Sequence, residues 1–319
     1  MDIVILDGHT LNPGDLSWGD FERMGKVTLF PRSSPEEIEA RARGADVLLT
    51  NKVPLQAELI QRLPRLKYVG VTATGTDAVD QVALAKRGIP LTNVPGYGTA
   101  SVAQTVFALL LELTHHVGDH ARGVAAGHWA NQPYFCYWES PLIELSGKTM
   151  GLVGQGRIAQ QTAQIARAFG MKVMGCARPG SSPTGGIPLV PRDELFSRSD
   201  VVSLHCPLTE ETRGMVFRDL LGQMKPSAFL INTARGKLVV EADLADALNG
   251  GALAGAGLDV LCDEPPKGDH PLFLAKNCLI TPHLAWATRE SRQRLMAECA
   301  ANLRGYMDGK YRNVVNGVS

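Results

Sequence analysis

The segment Met150–Ala159, reading Met-Gly-Leu-Val-Gly-Gln-Gly-Arg-Ile-Ala, constrains the fold more than any other part of the chain. A short apolar run leads into two glycines one residue apart, and a small residue follows three positions later. That is a strand turning sharply into a helix, in the form G-x-G-x-x-A of the dinucleotide fingerprint. Gly154 permits the tight turn and Gly156 lets the backbone approach a pyrophosphate. Ala159 is small enough for the helix to pack close to the sheet. The helix start, with Arg157 and Ile158, then presents unpaired N–H groups and the positive dipole end to an anion.

The rest of the chain has the alternation that such a motif needs. Before it, Ile3–Leu6, Val27–Phe30, Val47–Thr50, Tyr68–Val71 and a short run near Leu91 read as strands. Pro35–Arg43, Leu55–Leu63 and Val79–Arg87 lie between them with helix-like composition. After it, Met150–Val153, Val173–Cys176, Val201–Leu204, Phe229–Asn232 and Gly255–Val260 repeat the pattern. The expected class is therefore α/β, with two Rossmann-like parallel-sheet units. A length of 319 residues suits two cores. A long helix is expected from about Ala100 to about Ala126, with an apolar stripe of Val102, Val106, Leu109, Leu110 and Leu113. A loop of aromatics and prolines follows (Trp129, Tyr134, Phe135, Trp138), and a last long helix is expected over Trp286–Met307.

Charge and composition exclude several classes. Lys+Arg and Asp+Glu both number 32, so no global field recruits nucleic acid or an anionic membrane. The N-terminus, Met-Asp-Ile-Val-Ile-Leu-Asp, reads as a first strand rather than a signal peptide. No run approaches the roughly 20 apolar residues of a membrane helix. The cysteines at 136, 176, 206, 262, 278 and 299 form no C-x-x-C pair, as expected of free thiols in a reducing cytoplasm. No metal site is expected.

The second strand of a dinucleotide unit normally ends in an acid that binds the adenosine ribose. Here Cys176-Ala177-Arg178 stands there. An acid would repel a 2′-phosphate by roughly 4 kcal/mol per unit charge at about 4 Å and an effective dielectric of about 20. Its absence, together with Arg178, favours NADP(H) over NAD(H). The alternative is an NAD enzyme in which Arg178 only lies across the adenine.

Three further segments carry chemistry: Ile231-Asn-Thr233-Ala234-Arg235-Gly236, Leu258-Asp259 with Glu264-Pro-Pro, and Thr281-Pro-His283-Leu-Ala285-Trp286. Each alone is modest; a lone His is more often packed or capping than catalytic. In the order Arg, Glu, His downstream of a phosphate loop, the set resembles the D-isomer-specific 2-hydroxyacid dehydrogenase family. The likeness spans nearly the whole chain, including Val71-Thr-Ala-Thr74-Gly75-Thr-Asp77, Asn93–Thr99 and Ser203–Thr209. Phe135-Cys-Tyr-Trp138-Glu and His283-Leu-Ala-Trp286-Ala are most similar to its bacterial glycerate dehydrogenase (hydroxypyruvate reductase) branch. Ala159 and Ala177 depart from the family pattern, and the second puts NAD preference in doubt.

The resemblance implies hydride transfer between NAD(P)H and a small 2-keto acid or D-2-hydroxy acid. His283 would be the general acid on the carbonyl oxygen, and Glu264 would fix its tautomer and favour the imidazolium. Arg235 would hold the substrate carboxylate, with backbone N–H groups of Thr74 and Gly75 on its other side. Cys206, Pro207 and Thr212 would pass near the cofactor, with Thr233, Ala234, Asp259 and Ala285 around its nicotinamide end. The implied domains are 1–99 with 284–319 for substrate and 100–283 for cofactor, with a cleft between them.

The apolar stripe and the aromatic loop suggest a homodimer, in which Trp138 would approach the partner's active site. Two alternatives stay open: a cofactor-gated binding protein of the dehydrogenase-like corepressor type, and a D-lactate or broad 2-keto-acid reductase. Phosphoglycerate as substrate is less favoured, since Thr74 and Tyr97 offer no base for a phosphate.

Overall fold

A computed structural model describes residues 1–318. The chain forms two compact units: Met1–Gly98 with the stretch from Ala287 onward, and Thr99–Trp286.

In the first unit, β1 (Asp2–Ile5), β2 (Lys26–Leu29), β3 (Val47–Thr50), β4 (Tyr68–Val71) and β5 (Leu91–Thr92) form one sheet. The order is β2-β1-β3-β4-β5 and every pairing is parallel. That is the flavodoxin-like order. The connections carry α1 (Gly19–Glu22), α2 (Pro35–Ala42), α3 (Ala57–Gln61) and α4 (Gln81–Lys86). Helix α2 starts where a capping box requires it: Glu37 reaches back to the Ser34 N–H at 2.8 Å, with Pro35 in the first turn. The apolar runs of β3 and β4 are buried throughout, as central parallel strands must be. Helix α1 has no apolar period in sequence and forms around one buried residue, Phe21.

The second unit begins with α5 (Thr99–His115) and α6 (Val117–Ala125). These replace the single long helix expected from composition. His116 adopts a left-handed conformation, with φ 48°, which ends α5. Glu112 then accepts the Gly118 N–H at the start of α6, so the chain restarts as a separate helix.

Strands β6 (Thr149–Val153), β7 (Lys172–Cys176), β8 (Val201–Leu204), β9 (Phe229–Asn232), β10 (Gly255–Leu258) and β11 (Cys278–Ile280) follow. Between them lie α7 (Arg157–Ala168), α8 (Arg192–Arg198), α9 (Arg218–Gly222) and α10 (Glu241–Asn249). The sheet order is β11-β10-β9-β8-β6-β7, all parallel. A single parallel bridge from Gly175 to Leu189 continues it beyond β7. Counting that bridge as a residual strand, the unit has the doubly wound dinucleotide-binding order. Apolar cores cover both faces, one around Phe196, Leu204 and Leu230, the other around Leu110, Leu152 and Ile231.

The stripe on α5 is consumed by this second core. Val106, Leu109, Leu110 and Leu113 are buried, and α5 packs on α7, β9 and β10. The stripe therefore gives no argument for a second copy of the chain, contrary to the expectation above.

The last helix, α11 (Arg289–Met307), belongs to the first unit and packs on β4. It starts at Arg289 rather than Trp286, because the Thr288 hydroxyl caps it by accepting the Ser291 N–H. Arg292 near its start is buried and forks onto both Asp15 oxygens at 2.7 Å. That pairing holds the Asp15 carboxyl below its ordinary value. Among the described residues, no helix is long and apolar enough to cross a membrane, and all six cysteines are free.

Candidate active site

The sheet of the second unit reverses its winding between β6 and β8, where open parallel sheets take ligands. Gly154 lies there with φ +104°. A Cβ on it would stand 2.9 Å from the His205 carbonyl oxygen and 3.1 Å from the Cys206 nitrogen. Gly154 is thus required twice, by conformation and by the close approach of the β8 end. Gly156, the N-cap of α7, has an ordinary φ of −65°, and a Cβ on it would meet nothing within 4 Å. The fold does not need that glycine; its open side suits the approach of a pyrophosphate. Arg157 and Ile158 form the first turn of α7, and Ala159 is fully buried against the sheet.

At the end of β7, Ala177 and Arg178 are both exposed, so no carboxylate occupies the position where the ribose-binding acid normally stands. At the end of β8, His205 bonds Ser203 Oγ through Nε2 at 3.0 Å, and burial lowers its pKa to about 4. Cys206 is half-buried, and burial pushes its thiol up to about 11, which disfavours the thiolate. Pro207 is exposed, and its carbonyl accepts the Thr212 hydroxyl at 2.8 Å, so Thr212 closes the loop after β8.

The end of β9 carries Arg235. Asn232 shapes its turn, accepting the Ala234 N–H at 3.0 Å and donating to the Arg235 carbonyl at 2.9 Å. Arg235 Nη1 donates to the Ala234 carbonyl at 2.7 Å. A Cβ on Gly236 would sit 2.0 Å from the Leu261 carbonyl carbon, so only glycine lets this turn lie against the segment leading to Glu264. Thr233 Oγ1 is buried and has no hydrogen-bond partner among the described residues. A buried orphan hydroxyl at a strand end suits a ligand amide, as does the open side of Gly156 for a pyrophosphate. These residues fit a nicotinamide dinucleotide.

The end of β10 holds the histidine segment. Asp259 is buried; Oδ1 accepts the Thr281 hydroxyl at 2.6 Å and the Leu284 N–H at 2.9 Å. Oδ2 accepts the N–H of buried Ala285 at 2.9 Å, and the Asp259 carbonyl accepts the His283 N–H at 2.8 Å. Burial raises the Asp259 pKa, and these bonds oppose it. The clamp bends the chain so that His283 adopts φ 53°. His283 thus stands in a turn before the N-cap Thr288.

His283 Nδ1 lies 2.6 Å from Glu264 Oε2, and Glu264 Oε1 accepts the Leu261 N–H at 3.1 Å. With Nδ1 bonded to a carboxylate, it carries the proton, and Nε2 has no hydrogen-bond partner among the described residues. The pair is partly exposed, at 26% for His283 and 33% for Glu264, so a small molecule can reach it.

Thr74 and Gly75 belong to the first unit, just past the end of β4. The Thr74 hydroxyl is taken by the Val94 carbonyl at 2.8 Å. The two backbone N–H groups have no partner among the described residues.

Sequence reasoning assigned no role to Asn232, Thr281 or Gln155. Asn232 ends a buried strand and Gln155 sits between the fingerprint glycines, so polarity at apolar or small-residue positions was the available signal. No group of His, Cys, Asp and Glu suited to a metal ion occurs among the described residues.

A doubly wound sheet, a dinucleotide phosphate loop and a carboxylate-bound histidine at strand ends of the same unit define a nicotinamide-dependent oxidoreductase. Residues 107–285 match the family model of the D-isomer specific 2-hydroxyacid dehydrogenase NAD binding domain. The chain is 48% identical over 321 aligned positions to a hydroxypyruvate reductase of Blautia hydrogenotrophica, covering 99% of this chain and 100% of that one. It is 40% identical over 284 positions to a glycerate dehydrogenase of Methylorubrum extorquens, covering 88% and 89%. Among solved structures, it matches an NADPH-dependent glyoxylate/hydroxypyruvate reductase of Sinorhizobium meliloti, in complex with NADP and malonate, with TM-score 0.85 and 28% identity. That match covers 99% of this chain and 97% of the other. The chain belongs to the D-isomer-specific 2-hydroxyacid dehydrogenase family, and it is an NAD(P)-dependent enzyme.

Proposed function

We propose that the chain reduces hydroxypyruvate and glyoxylate to the corresponding hydroxy acids, with NADPH as the preferred cofactor. The observation that carries the reading is the His283–Glu264 pair, with Nδ1 held and Nε2 open, in the same unit as the phosphate loop. A bound nicotinamide dinucleotide supplies the hydride. His283 Nε2 gives its proton to the substrate carbonyl oxygen, and Glu264 stabilises the imidazolium before the transfer. Arg235 is the carboxylate anchor, a role suited to a planar fork of donors. The unpartnered N–H groups of Thr74 and Gly75, in the first unit, are donors of the kind a carboxylate takes. Asp259 acts through the turn that holds His283.

The substrate assignment rests on the names of the relatives above, and a panel of hydroxypyruvate, glyoxylate, pyruvate and phenylpyruvate with each cofactor tests it. The expected result is a higher kcat/KM for the first two. Higher values for pyruvate or phenylpyruvate would replace the reading with a broad reductase.

The cofactor reading rests on Ala177 and Arg178. A guanidinium without a neighbouring carboxylate favours the 2′-phosphate, and exposure limits the preference to roughly ten- to a hundredfold. Ala177→Asp shifts kcat/KM towards NADH. A wild type that uses both cofactors equally refutes the preference.

The aromatic loop supports self-association. Phe135 is 89% exposed, Tyr134 72% and Trp138 65%, a grouping of large apolar side chains that marks an interface. We assign this loop to a homodimer contact; a monomer by light scattering at micromolar concentration would remove that assignment.

A further inference from the structure

The residue between the two fingerprint glycines performs a task that a phosphate loop does not need. A pyrophosphate is bound there by backbone N–H groups, so the side chain at that position is free to do something else. Gln155 uses both ends of its amide on one distant segment. Nε2 donates to the Ser182 carbonyl at 3.2 Å, and Oε1 accepts the Thr184 N–H at 2.8 Å. Gln160, on α7, braces it by donating to the Gln155 carbonyl at 3.0 Å.

The segment so gripped is the loop after β7. It opens with a turn, Arg178-Pro179-Gly180-Ser181, closed by the Ser181 N–H on the Arg178 carbonyl at 3.1 Å. Proline at the second position and Gly180 at φ +80° in the third make it a type II turn. Farther on, Gly185 and Gly186 are both left-handed, at +63° and +67°. Their carbonyls accept from Arg167 at 3.3 and 2.7 Å. The exposed loop bearing Arg178, Ser181 and Ser182 is therefore tied to the phosphate loop by Gln155 and to the last turn of α7 by Arg167.

We propose that Gln155, assisted by Arg167, is a positioning residue for recognition of the adenosine 2′-phosphate. This rests on the reading that Arg178 and its neighbours take that phosphate. The two ties order the loop before ligand arrives, so binding does not have to immobilise it. Neither residue has to touch the phosphate for this to work.

The test uses nucleotide fragments and the full-length protein. Adenosine 2′,5′-bisphosphate and 5′-AMP are titrated by calorimetry into wild type, Gln155→Ala and Arg167→Ala. Wild type is expected to bind the bisphosphate more tightly. Each variant is expected to lose about tenfold in bisphosphate affinity, close to 1.4 kcal/mol, with little change for 5′-AMP. An equal loss for both ligands in Gln155→Ala would mean a damaged phosphate loop and would overturn the proposal. Unchanged bisphosphate affinity would overturn it too. Wild type binding both fragments equally would instead remove the 2′-phosphate reading itself, and this proposal with it. Should Gln155→Ala fail to fold, Arg167→Ala, at an exposed side chain, carries the same test alone.

Discussion

His283 Nδ1 stands 2.6 Å from Glu264 Oε2, although Glu264 lies in the loop after β10 and His283 beyond β11. A charge-assisted bond of this kind is worth about 1.5 to 3 kcal/mol. Glu264→Gln keeps the size and removes the charge. It is expected to lower kcat for keto-acid reduction by roughly ten- to a hundredfold, with a smaller change in KM. Steady-state kinetics decide this, and an unchanged kcat would remove Glu264 from the mechanism.

His283→Ala is expected to lower turnover by about 10² to 10⁴, the usual worth of a positioned general acid. The phosphate loop is untouched in that variant, so nucleotide affinity by fluorescence titration should match wild type. Turnover within a few-fold of wild type would show that another group supplies the proton. Arg235→Lys is expected to fail as well, through a raised KM for the keto acid, because a point charge does not reproduce the fork.

In the mechanism proposed above, Asp259 acts through backbone placement of His283. Asp259→Asn turns an amide N–H₂ toward donors that now meet an oxygen, at either Ala285 or the Thr281 and Leu284 pair. Losing one such buried partner costs about 1 to 3 kcal/mol. The variant is expected to melt earlier and to lose kcat while retaining nucleotide affinity. Thr281→Val, which removes a single bond, should show the same pattern more weakly. An unchanged kcat in Asp259→Asn would separate the clamp from the chemistry.

Two glycines of one motif should behave differently. Gly154→Ala places a Cβ against the His205 carbonyl at a left-handed φ, a strain of about 1 to 3 kcal/mol, and is expected to lower Tm by roughly 2 to 10 °C. Gly156→Ala has ordinary φ and open space, so Tm should hold while nucleotide affinity falls. Calorimetric melting and titration of both variants check the contrast. Equal Tm losses would contradict it.

His205 predicts a pH dependence of stability. Its pKa is lowered by burial to about 4, against 6.5 for the free side chain. Between those values the unfolded chain binds a proton that the folded one does not, so stability falls as pH drops from about 6.5 towards about 4. Thermal melts across that range should show a shallower slope in His205→Asn than in wild type. Parallel slopes would assign the acid sensitivity to other groups.

Much of the architecture was legible in the chain. The central strands β3, β4, β8 and β9 were read at their observed bounds, because strands buried on both faces are continuous apolar runs between turn residues. The phosphate loop was equally plain as a glycine pattern between an apolar run and a helix, although what Gly154 makes room for, the end of β8, is set by the fold. Edges were harder. Strand β11 escaped notice, being short and only half-buried, and α1 carries no period to detect.

One miss was local: the helix expected to run past His116 breaks there, and Glu112, six residues before Gly118, caps the piece that restarts. The other features that tertiary structure decided have a common cause: groups meeting across long stretches of sequence. The stripe on α5 looked like surplus surface only because the sheet and α7 that bury it could not be placed from sequence. The order Arg235, Glu264, His283 was visible as residue types. The 2.6 Å bond, the Asp259 clamp and the grip of Gln155 on the loop after β7 arise only when strand ends converge. Periodicity reports which face of an element is apolar; it carries no information about which polar side chains the fold will bring within hydrogen-bonding distance.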